Sequence, residues 1–293
     1  MPTHSGQLAH QGSQVALNTA AHAASPSQVH FTFPALGRPV RFLGLEVTDT
    51  TLDNAGHWIV TQAQRKTPTN IGFVNAHFVN LVHEQAGLSD TIKQFDCFYA
   101  DGIGVKIAAR AEGIALTDNV NGTDLFPILC KQAADAKVGL FLLGGQPGIA
   151  EAAATNMAAR TPGLVVSGTA SGHFADSRDE QATIEQINAS GAEILLVGMG
   201  MPIQEEWITR NRHRLTPSVI IAVGGLFDFY SGRIQRAPKI LRNNGLEWAW
   251  RLAMEPRRLF KRYVIGNVKF LVRVAAHRIS QTTGATQPQS ISQ

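Results

Sequence analysis

Short runs of apolar residues alternate along the chain with longer segments whose apolar positions recur every three or four residues. The short runs predict buried β-strands, and the longer segments predict amphipathic helices. The expected strands cover residues 41–47, 71–75, 97–100, 139–143, 165–167, 194–197 and 219–223. The expected helices cover 51–65 and 123–136, with others from about 77, 105 and 256. This alternation predicts an α/β fold, a Rossmann-like and largely parallel sheet flanked by helices.

The two ends of the chain lack this pattern. Residues 1–28 are rich in Ser, Ala, Gln and His and contain no Lys or Arg, so they do not have the basic start of a signal peptide. We expect a disordered tail at 1–28, an α/β core at 29–232, a basic helical appendage at 233–280 and a second disordered tail at 281–293. No run approaches the roughly 20 apolar residues that span a bilayer. Cys97 and Cys130 lie in apolar runs and are expected to be buried thiols of a cytoplasmic protein.

The first candidate for chemistry follows the strand at 97–100. Asp101 stands directly after this strand and is flanked by Gly102 and Gly104. Open α/β sheets bind their ligands at the carboxyl ends of the strands, and a carboxylate there can act as a general base. The alternative is that Asp101 only caps the helix that follows, and its position alone leaves both roles open.

Three strand-to-helix junctions are rich in glycine. Gly144 and Gly145 open the first, where a helix N-terminus could hold a phosphate or the glycines could form a tight turn without a ligand. Gly198 opens the second, from which Gln204 is expected to reach the rim that carries the candidate base and to read a base edge or sugar hydroxyl. The alternative for Gln204 is an ordinary polar residue of a first helical turn. In the third junction, Asp228 could bind a ribose or cap a turn.

Positive charge is concentrated after residue 232. The formal net charge of the chain is +4, yet twelve Lys and Arg residues beyond this point are opposed only by Glu247 and Glu255. On a helix from about residue 256 the cations form one stripe and apolar residues form the opposite one. Such a helix suits an anionic membrane surface or a diphosphate, or it packs its apolar face on the core. The candidates for these contacts are Arg236, Arg251, Arg257, Arg258 and Arg262.

From about residue 41 to 271 the chain resembles the WecG/TagA/CpsF glycosyltransferases, glycosyltransferase family twenty-six. The resemblance rests on eight motifs in order: Val74-Asn75-Ala76-His77, Ala100-Asp101-Gly102-Ile103-Gly104, Val120-Asn121-Gly122-Thr123-Asp124, Gly144-Gly145 with Pro147-Gly148, Gly198-Met199-Gly200-Met201-Pro202 with Gln204-Glu205, Arg236-Ala237-Pro238, Gly245-Leu246-Glu247-Trp248, and Glu255-Pro256-Arg257-Arg258. It implies an inverting enzyme, independent of metals and cofactors, that moves a sugar from a UDP-sugar to a polyprenyl-diphosphate-linked saccharide. The implied setting is cell-surface polysaccharide synthesis at the inner face of the cell membrane, with an N-acetylmannosamine-type sugar, a hexose or a hexuronate transferred.

The resemblance also implies roles for particular residues. It makes Asp101 the catalytic base and assigns the basic appendage to completion of the active site and membrane docking. The substrate-binding candidates are Asn75, Asn121, Gln204, Gly144, Gly145, Gly198 and Asp228. One departure concerns Asn119, because family members often carry an arginine there that is implicated in substrate binding.

The residues support a transfer reaction independently of the resemblance. The chain contains no Asp-x-Asp pair to ligate a metal on a diphosphate, so arginines would have to replace the cation. A nucleotide-dependent oxidoreductase is the main alternative, but the glycines at 144–148 do not match G-x-G-x-x-G. A nucleic-acid-binding module ranks lower, because apolar residues lie opposite the arginines of the appendage. We expect no nucleic-acid partner, and self-association stays open.

Overall fold

A computed structural model describes residues 36–284 of the protein, and the expected tail at 1–28 and residues 285–293 lie outside this range. Its sheet contains eight strands: β1 Arg38–Phe42, β2 Leu45–Asp49, β3 Thr69–Val74, β4 Cys97–Ala100, β5 Leu140–Gly144, β6 Val166–Ala170, β7 Ile194–Gly198 and β8 Val219–Ala222. Their order is β1-β2-β4-β3-β8-β7-β5-β6. All neighbours pair in parallel except β1 and β2. The predicted α/β fold with a largely parallel sheet is confirmed.

The first strand differs from the expectation. The structure has a two-stranded hairpin where one strand was predicted over residues 41–47, with Phe42 paired to Leu45. Leu43 and Gly44 form the turn and have φ angles of 51° and 74°. Tight hairpins favour positive φ at both turn residues because this matches the twist of the strands. The apolar pattern continues through this turn, so it does not reveal the reversal.

Helices cover both faces of the sheet. They are α1 Leu52–Gln64, α2 Ala76–Glu84, α3 Leu88–Ile92, α4 Ile103–Ala111, α5 Gly122–Ala136, α6 Ile149–Arg160, α7 Ser177–Ala189, α8 Ile203–Asn211, α9 Leu226–Tyr230, α10 Lys239–Asn243, α11 Glu247–Met254, α12 Pro256–Phe260 and α13 Gly266–Gly284. A 3₁₀ turn spans Arg212–Arg214, and a π-helical segment, Lys261–Ile265, joins α12 to α13. Within residues 36–284, no helix has the length and apolar character to cross a membrane.

The hydrophobic core has two layers, one on each face of the sheet. The first contains residues of α1, α5, α6 and α9, and the second contains residues of α2, α4, α7, α8 and α13. Strands β5 and β7 are buried on both faces, as expected for the centre of a parallel sheet. Cys97 and Cys130 are buried and unpaired, in agreement with the sequence prediction.

The C-terminal appendage packs against the core and belongs to the same compact unit. Phe270 and Val274 of α13 are buried in the second core layer. The Asn80 side chain of α2 donates a hydrogen bond to the Gly266 carbonyl oxygen at 2.7 Å and accepts one from Arg273 at 3.1 Å. Helix α13 continues to Gly284, which is beyond the expected start of the second tail at residue 281.

The appendage does not pack its apolar stripe on the core, which was one of the two alternatives that the sequence left open. Lys269 and Arg273 form ion pairs with Glu84 of the core, whereas Phe260 is 53% exposed and Val268 is 60% exposed. The apolar stripe therefore does not pack on the core. The π-helical segment explains this in part, because its wider turn shifts the phase of every residue that follows.

Candidate functional site

Asn75 and Asp101 lie side by side at the carboxyl ends of neighbouring strands. Val74 of β3 pairs in register with Ala100 of β4, so the next residue of each strand leaves the sheet at the same place. The Asn75 Nδ2 donates a hydrogen bond to Asp101 Oδ2 at 3.2 Å. The Asn75 Oδ1 accepts from the Phe78 backbone N–H at 3.0 Å and so caps α2. This cap determines which end of the amide faces the carboxylate.

The structure decides between the two roles considered for Asp101. Helix α4 has Gly102 at its N-cap and no side-chain capping hydrogen bond, so Asp101 does not cap it. Burial raises the pKa of Asp101, while the hydrogen bond from Asn75 and the charge of Arg262 act against this rise. A general base is most effective when its pKa lies near the working pH, and burial moves the carboxylate in that direction.

Asp101 lies where two cavities meet. The glycine-rich cavity, of about 420 Å³, is lined by the turns that follow β5, β7 and β8. The apolar cavity, of about 560 Å³, lies between α4, α11 and α13. Some residues line both cavities: Asn75, Asp101, Thr123, Phe229, Arg251 and Arg262. A group in one cavity can therefore reach a group in the other at the candidate base.

The glycine-rich cavity exists because three strand ends approach one another without side chains. A Cβ on Gly144 would lie 2.4 Å from the Gly198 carbonyl oxygen, and a Cβ on Gly198 would lie 2.7 Å from the Gly224 carbonyl oxygen. Both distances are too short for any other residue type. Gly145 and Gly198 line the cavity, whereas Gly144 supports it from below the lining. Helix α6 begins at Ile149, outside the lining residues.

Gln204 does not reach the rim as the sequence suggested. Its side chain is fully buried, and it lines neither cavity among the described residues. Its Oε1 accepts hydrogen bonds from the Gly200 and Gly224 backbone N–H groups at 3.2 and 2.8 Å. Gln204 thus joins two turns of the cavity from behind. Helix α8 packs with its first turn against the sheet, which the sequence pattern does not reveal.

The Asn119-Asn121 segment also makes its main contacts within the protein. Asn121 caps α5 through the Asp124 backbone N–H at 2.8 Å, and its Nδ2 donates to Asp124 Oδ2 at 2.7 Å. It lines the apolar cavity but not the glycine-rich one. Asn119 Oδ1 accepts from the Gly102 backbone N–H at 2.6 Å. Asn119 therefore fixes the loop that directly follows Asp101.

Of the five arginines that the sequence suggested for contacts with substrate or membrane, three face the site. Arg251 and Arg262 line both cavities, and Arg258 lines the glycine-rich one. The Nε atoms of Arg251 and Arg262 are buried and have no hydrogen-bond partner within the described residues. Burial lowers the pKa of Arg262, and the neighbouring charges of Arg251 and Arg258 act in the same direction. Clustered cations with unused donors form a site for an anionic group.

A search against known protein families matches residues 40–284 to the glycosyl transferase WecG/TagA/CpsF family. The chain belongs to this family. It is therefore a glycosyltransferase of cell-surface polysaccharide biosynthesis, rather than a nucleotide-dependent oxidoreductase. The match ends at the last residue of α13, so it includes the whole appendage that carries the three arginines.

Two of the arginines expected to contact the diphosphate or the membrane lie outside both cavities of this glycosyltransferase. Arg236 lines neither of the two cavities, and it forms ion pairs with Asp124 at 2.9 Å and Glu247 at 3.4 Å. It joins the appendage to α5, so its role is structural. Arg257 is exposed and also lies outside both cavities. Its helix directs it away from the site.

Asp228 lies in the glycine-rich cavity, as one of its two expected roles requires. Its carboxylate forms an ion pair with Arg233 at 3.0 Å. Helix α9 has Gly225 as its N-cap without a side-chain capping hydrogen bond, so Asp228 caps no helix there. Within residues 36–284, His, Cys, Asp and Glu side chains form no group of three or more that could hold a metal ion.

Sequence reasoning missed several residues of the site of this glycosyltransferase. In the glycine-rich cavity, Gln146 Nε2 lies 3.2 Å from His173 Nε2, and His173 Nδ1 contacts the Gly145 carbonyl oxygen at 3.0 Å. Gln146 adjoins a recognised motif, but His173 comes from the loop after β6, where no pattern indicated chemistry. His77 lines the apolar cavity, where burial and the charge of Arg262 lower its pKa to about 4.

Proposed function

We propose that this glycosyltransferase moves a sugar, with inversion and without a metal, from a UDP-sugar to a polyprenyl-diphosphate-linked saccharide. The single observation that carries the proposal is the position of Asp101 at the junction of the two cavities, with Arg251 and Arg262 beside it. An inverting transfer needs one carboxylate between two substrates and cationic groups next to the leaving diphosphate.

The glycine-rich cavity suits the UDP-sugar. Its turns expose backbone groups to a ligand at the carboxyl ends of parallel strands, where nucleotides bind in folds of this kind. Its other wall carries Arg251, Arg258 and Arg262, which would neutralise the diphosphate through charge-assisted hydrogen bonds. The arginines take the place of the divalent cation that many nucleotide-sugar enzymes use, which is why we propose that no metal or other cofactor is needed.

The apolar cavity suits the lipid-linked acceptor. Its lining is largely hydrophobic and includes Ile103, Ile107, Trp248, Val264, Val268 and Leu271. A polyprenyl chain is a branched hydrocarbon, so its burial here would be favourable at about 25 cal/mol per Å² of apolar surface. The saccharide at the head of the lipid would then lie towards Asp101.

The proposed reaction has one displacement step. A hydroxyl group of the acceptor gives its proton to the Asp101 carboxylate, and its oxygen attacks the anomeric carbon of the sugar. The bond from that carbon to the β-phosphate oxygen breaks, and UDP leaves with the electron pair. Attack from the face opposite UDP inverts the anomeric centre, so an α-linked sugar would yield a β-linkage.

We further propose that the appendage docks on the anionic inner surface of the cell membrane. Phe260 is 53% exposed, and the exposed Lys261 and Arg257 are near it in sequence, while Val272 of α13 is 62% exposed. Exposed apolar residues next to cations are typical of helices that lie in a membrane interface. The apolar cavity opens between the same helices, so a docked enzyme could take its acceptor from the bilayer.

The transfer reaction is tested with a panel of UDP-sugars and a short-chain polyprenyl-diphosphate GlcNAc acceptor, with EDTA present throughout. The panel contains UDP-N-acetylmannosamine, its uronic acid, UDP-glucose and UDP-glucuronate. We expect one of the UDP-sugars to give product in EDTA. Addition of excess Mg²⁺ should leave the rate of that transfer unchanged. A rate that requires the metal would contradict the metal-free mechanism. UDP binding without product would mean another acceptor, and no UDP binding would overturn the proposed sugar donor class.

Membrane docking is tested by sedimentation with vesicles of anionic and of neutral lipid. We expect the wild-type protein to bind anionic vesicles and the Phe260→Ser/Val272→Ser variant to bind them weakly. Both residues lie outside the two cavities, so transfer to a short-chain acceptor in detergent provides the control. Equal vesicle binding by both proteins would contradict the docking proposal.

A further inference from the structure

A buried hydrogen-bond chain runs behind the glycine-rich cavity. It begins at Glu205 of α8, whose Oε1 accepts from Gln204 Nε2 at 2.8 Å. The Gln204 Oε1 then accepts from the backbone N–H groups of Gly200 and Gly224. Neither Gln204 nor Glu205 has any exposed surface. The chain therefore links a carboxyl group that no substrate can touch to two turns that line the cavity.

The two turns follow neighbouring strands, which pair up to Val197 and Ala222, and the Val223 backbone N–H donates to the Val197 carbonyl oxygen at 2.8 Å. The turn after β7 contains Gly200, and the turn after β8 contains Gly224, and both line the glycine-rich cavity. A buried backbone N–H without a partner destabilises the conformation that buries it. Because one amide oxygen accepts from both N–H groups, it ties the two turns together beyond the end of the strand pairing.

The orientation of the Gln204 amide depends in turn on Glu205. An amide can rotate by half a turn and exchange its oxygen and nitrogen, which would present an N–H₂ group to two N–H donors. An acceptor at the position of Glu205 Oε1 prevents this exchange. Burial raises the pKa of Glu205 to about 7, so the group is partly protonated at neutral pH. A neutral carboxyl group still accepts through its carbonyl oxygen, so the acceptor and not the charge is what matters.

We propose that Glu205 is a positioning residue for binding of the sugar donor, acting through Gln204 on the two turns of the glycine-rich cavity. The inference rests on the proposed function only for the identity of the ligand as a UDP-sugar. Glu205 would then have a role in binding of the sugar donor although its buried side chain contacts neither substrate. It also explains why Gln204 and Glu205 stand together at the start of α8 although neither reaches the cavity.

The test compares two substitutions at the same position. Glu205→Leu removes the acceptor with little change in volume, and Glu205→Gln keeps an acceptor oxygen without the charge. We expect Glu205→Leu to raise the Kd for UDP and the KM for the UDP-sugar about tenfold, and to leave the KM for the acceptor unchanged. We expect Glu205→Gln to restore the wild-type values. Hydrogen exchange at Gly200 and Gly224 should become faster only in the leucine variant.

Ile208→Ala is the matched control for stability. Ile208 is fully buried in the same helix and lies in the second core layer, but it has no polar atom to offer the turns. Its variant should lose thermal stability and keep the wild-type KM for the UDP-sugar. The proposal is overturned if Glu205→Leu binds UDP as the wild type does, or if Ile208→Ala weakens UDP binding as much as Glu205→Leu.

A reversed pair covers the case in which Glu205→Leu does not fold. In the double variant Gln204→Glu/Glu205→Gln, the carboxylate accepts from both turns and the amide donates to it, so every hydrogen bond is retained. Its KM for the UDP-sugar should lie within about threefold of wild type, well below that of Gln204→Leu, which offers the two turns no acceptor. Equal values for the two would overturn the proposal. If the wild-type protein does not bind UDP, the proposed function fails, while the exchange rates at the two turns still test the hydrogen-bond chain.

Discussion

The two cavities beside Asp101 are built in different ways. The glycine-rich cavity is formed by backbone turns at the ends of buried strands, and its spacing depends on glycines and on hydrogen bonds out of contact with solvent. The apolar cavity is closed by side chains of the appendage, whose polar anchors to the core include Asn80, Asp124 and the partly exposed Glu84. Exposed ion pairs contribute little to stability and weaken with salt. The difference teaches that the sheet provides a rigid binding surface, whereas the appendage provides charges and apolar groups on a surface that is easier to displace.

The largest effect is expected at the residue common to both cavities. Asp101→Asn should lower kcat about a thousandfold, because the amide cannot take the proton of the acceptor hydroxyl. Binding of UDP should be unchanged, since the substitution keeps the size of the side chain. Initial transfer rates and calorimetric titration with UDP measure the two quantities. Asp90→Asn, at an exposed carboxylate paired with Lys93, is the control and should behave as wild type. Full activity of Asp101→Asn would show that another group is the base.

A second prediction separates the appendage from the sheet. Arg262→Ala should lower kcat/KM about a hundredfold, because the guanidinium faces the site where the leaving diphosphate gains charge. The comparison variant is Arg257→Ala, five residues earlier and outside both cavities, which should change kcat/KM by no more than about twofold. Steady-state kinetics with the UDP-sugar varied measures both. Similar losses in the two variants would mean that the appendage acts through its overall charge.

A third and smaller effect concerns the residues at the strand ends and is measured in the pH dependence of the transfer rate. The transfer rate should fall as the pH drops through the pKa of Asp101, because the base must be unprotonated. Asn75 stabilises the carboxylate by donating a hydrogen bond, so Asn75→Ala should raise this pKa and move the acid limb of the profile to higher pH. The ratio of the rate at low pH to the rate at about pH 8 should therefore be smaller in the variant than in the wild type.

The control for this pH shift is a helix cap outside both cavities. Thr51→Ala removes the cap of α1, where the Thr51 Oγ1 accepts from the Asn54 backbone N–H at 3.2 Å. It should lose stability and keep the wild-type pH profile. An unchanged acid limb in Asn75→Ala would contradict the role given to this hydrogen bond.

Some parts of the site could be predicted from the sequence and others could not. The position of Asp101 was predictable, because it directly follows a recognisable buried strand, whereas Asn75 was indicated only by the family resemblance. Gln204 was placed wrongly, because its direction depends on how α8 packs against the sheet. The sequence could not show which arginines line the cavities. Arg262 lines them and Arg257 does not, and this difference depends on the geometry of the helical turns between the two residues.

By itself, the sequence determined the fold class, most strands of the sheet, the position of Asp101 at a strand end and the family. These features depend on local periodicity and on motifs of a few adjacent residues, so they can be read along the chain. Only the tertiary structure decided that Asp101 lies between two cavities, that the apolar stripe of the appendage faces away from the core, and that Gln204 and Glu205 are buried behind the turns of the glycine-rich cavity. These features depend on contacts between residues far apart in sequence, such as Asn80 with Arg273 and Gln204 with Gly224, and no local pattern records which partner a side chain meets.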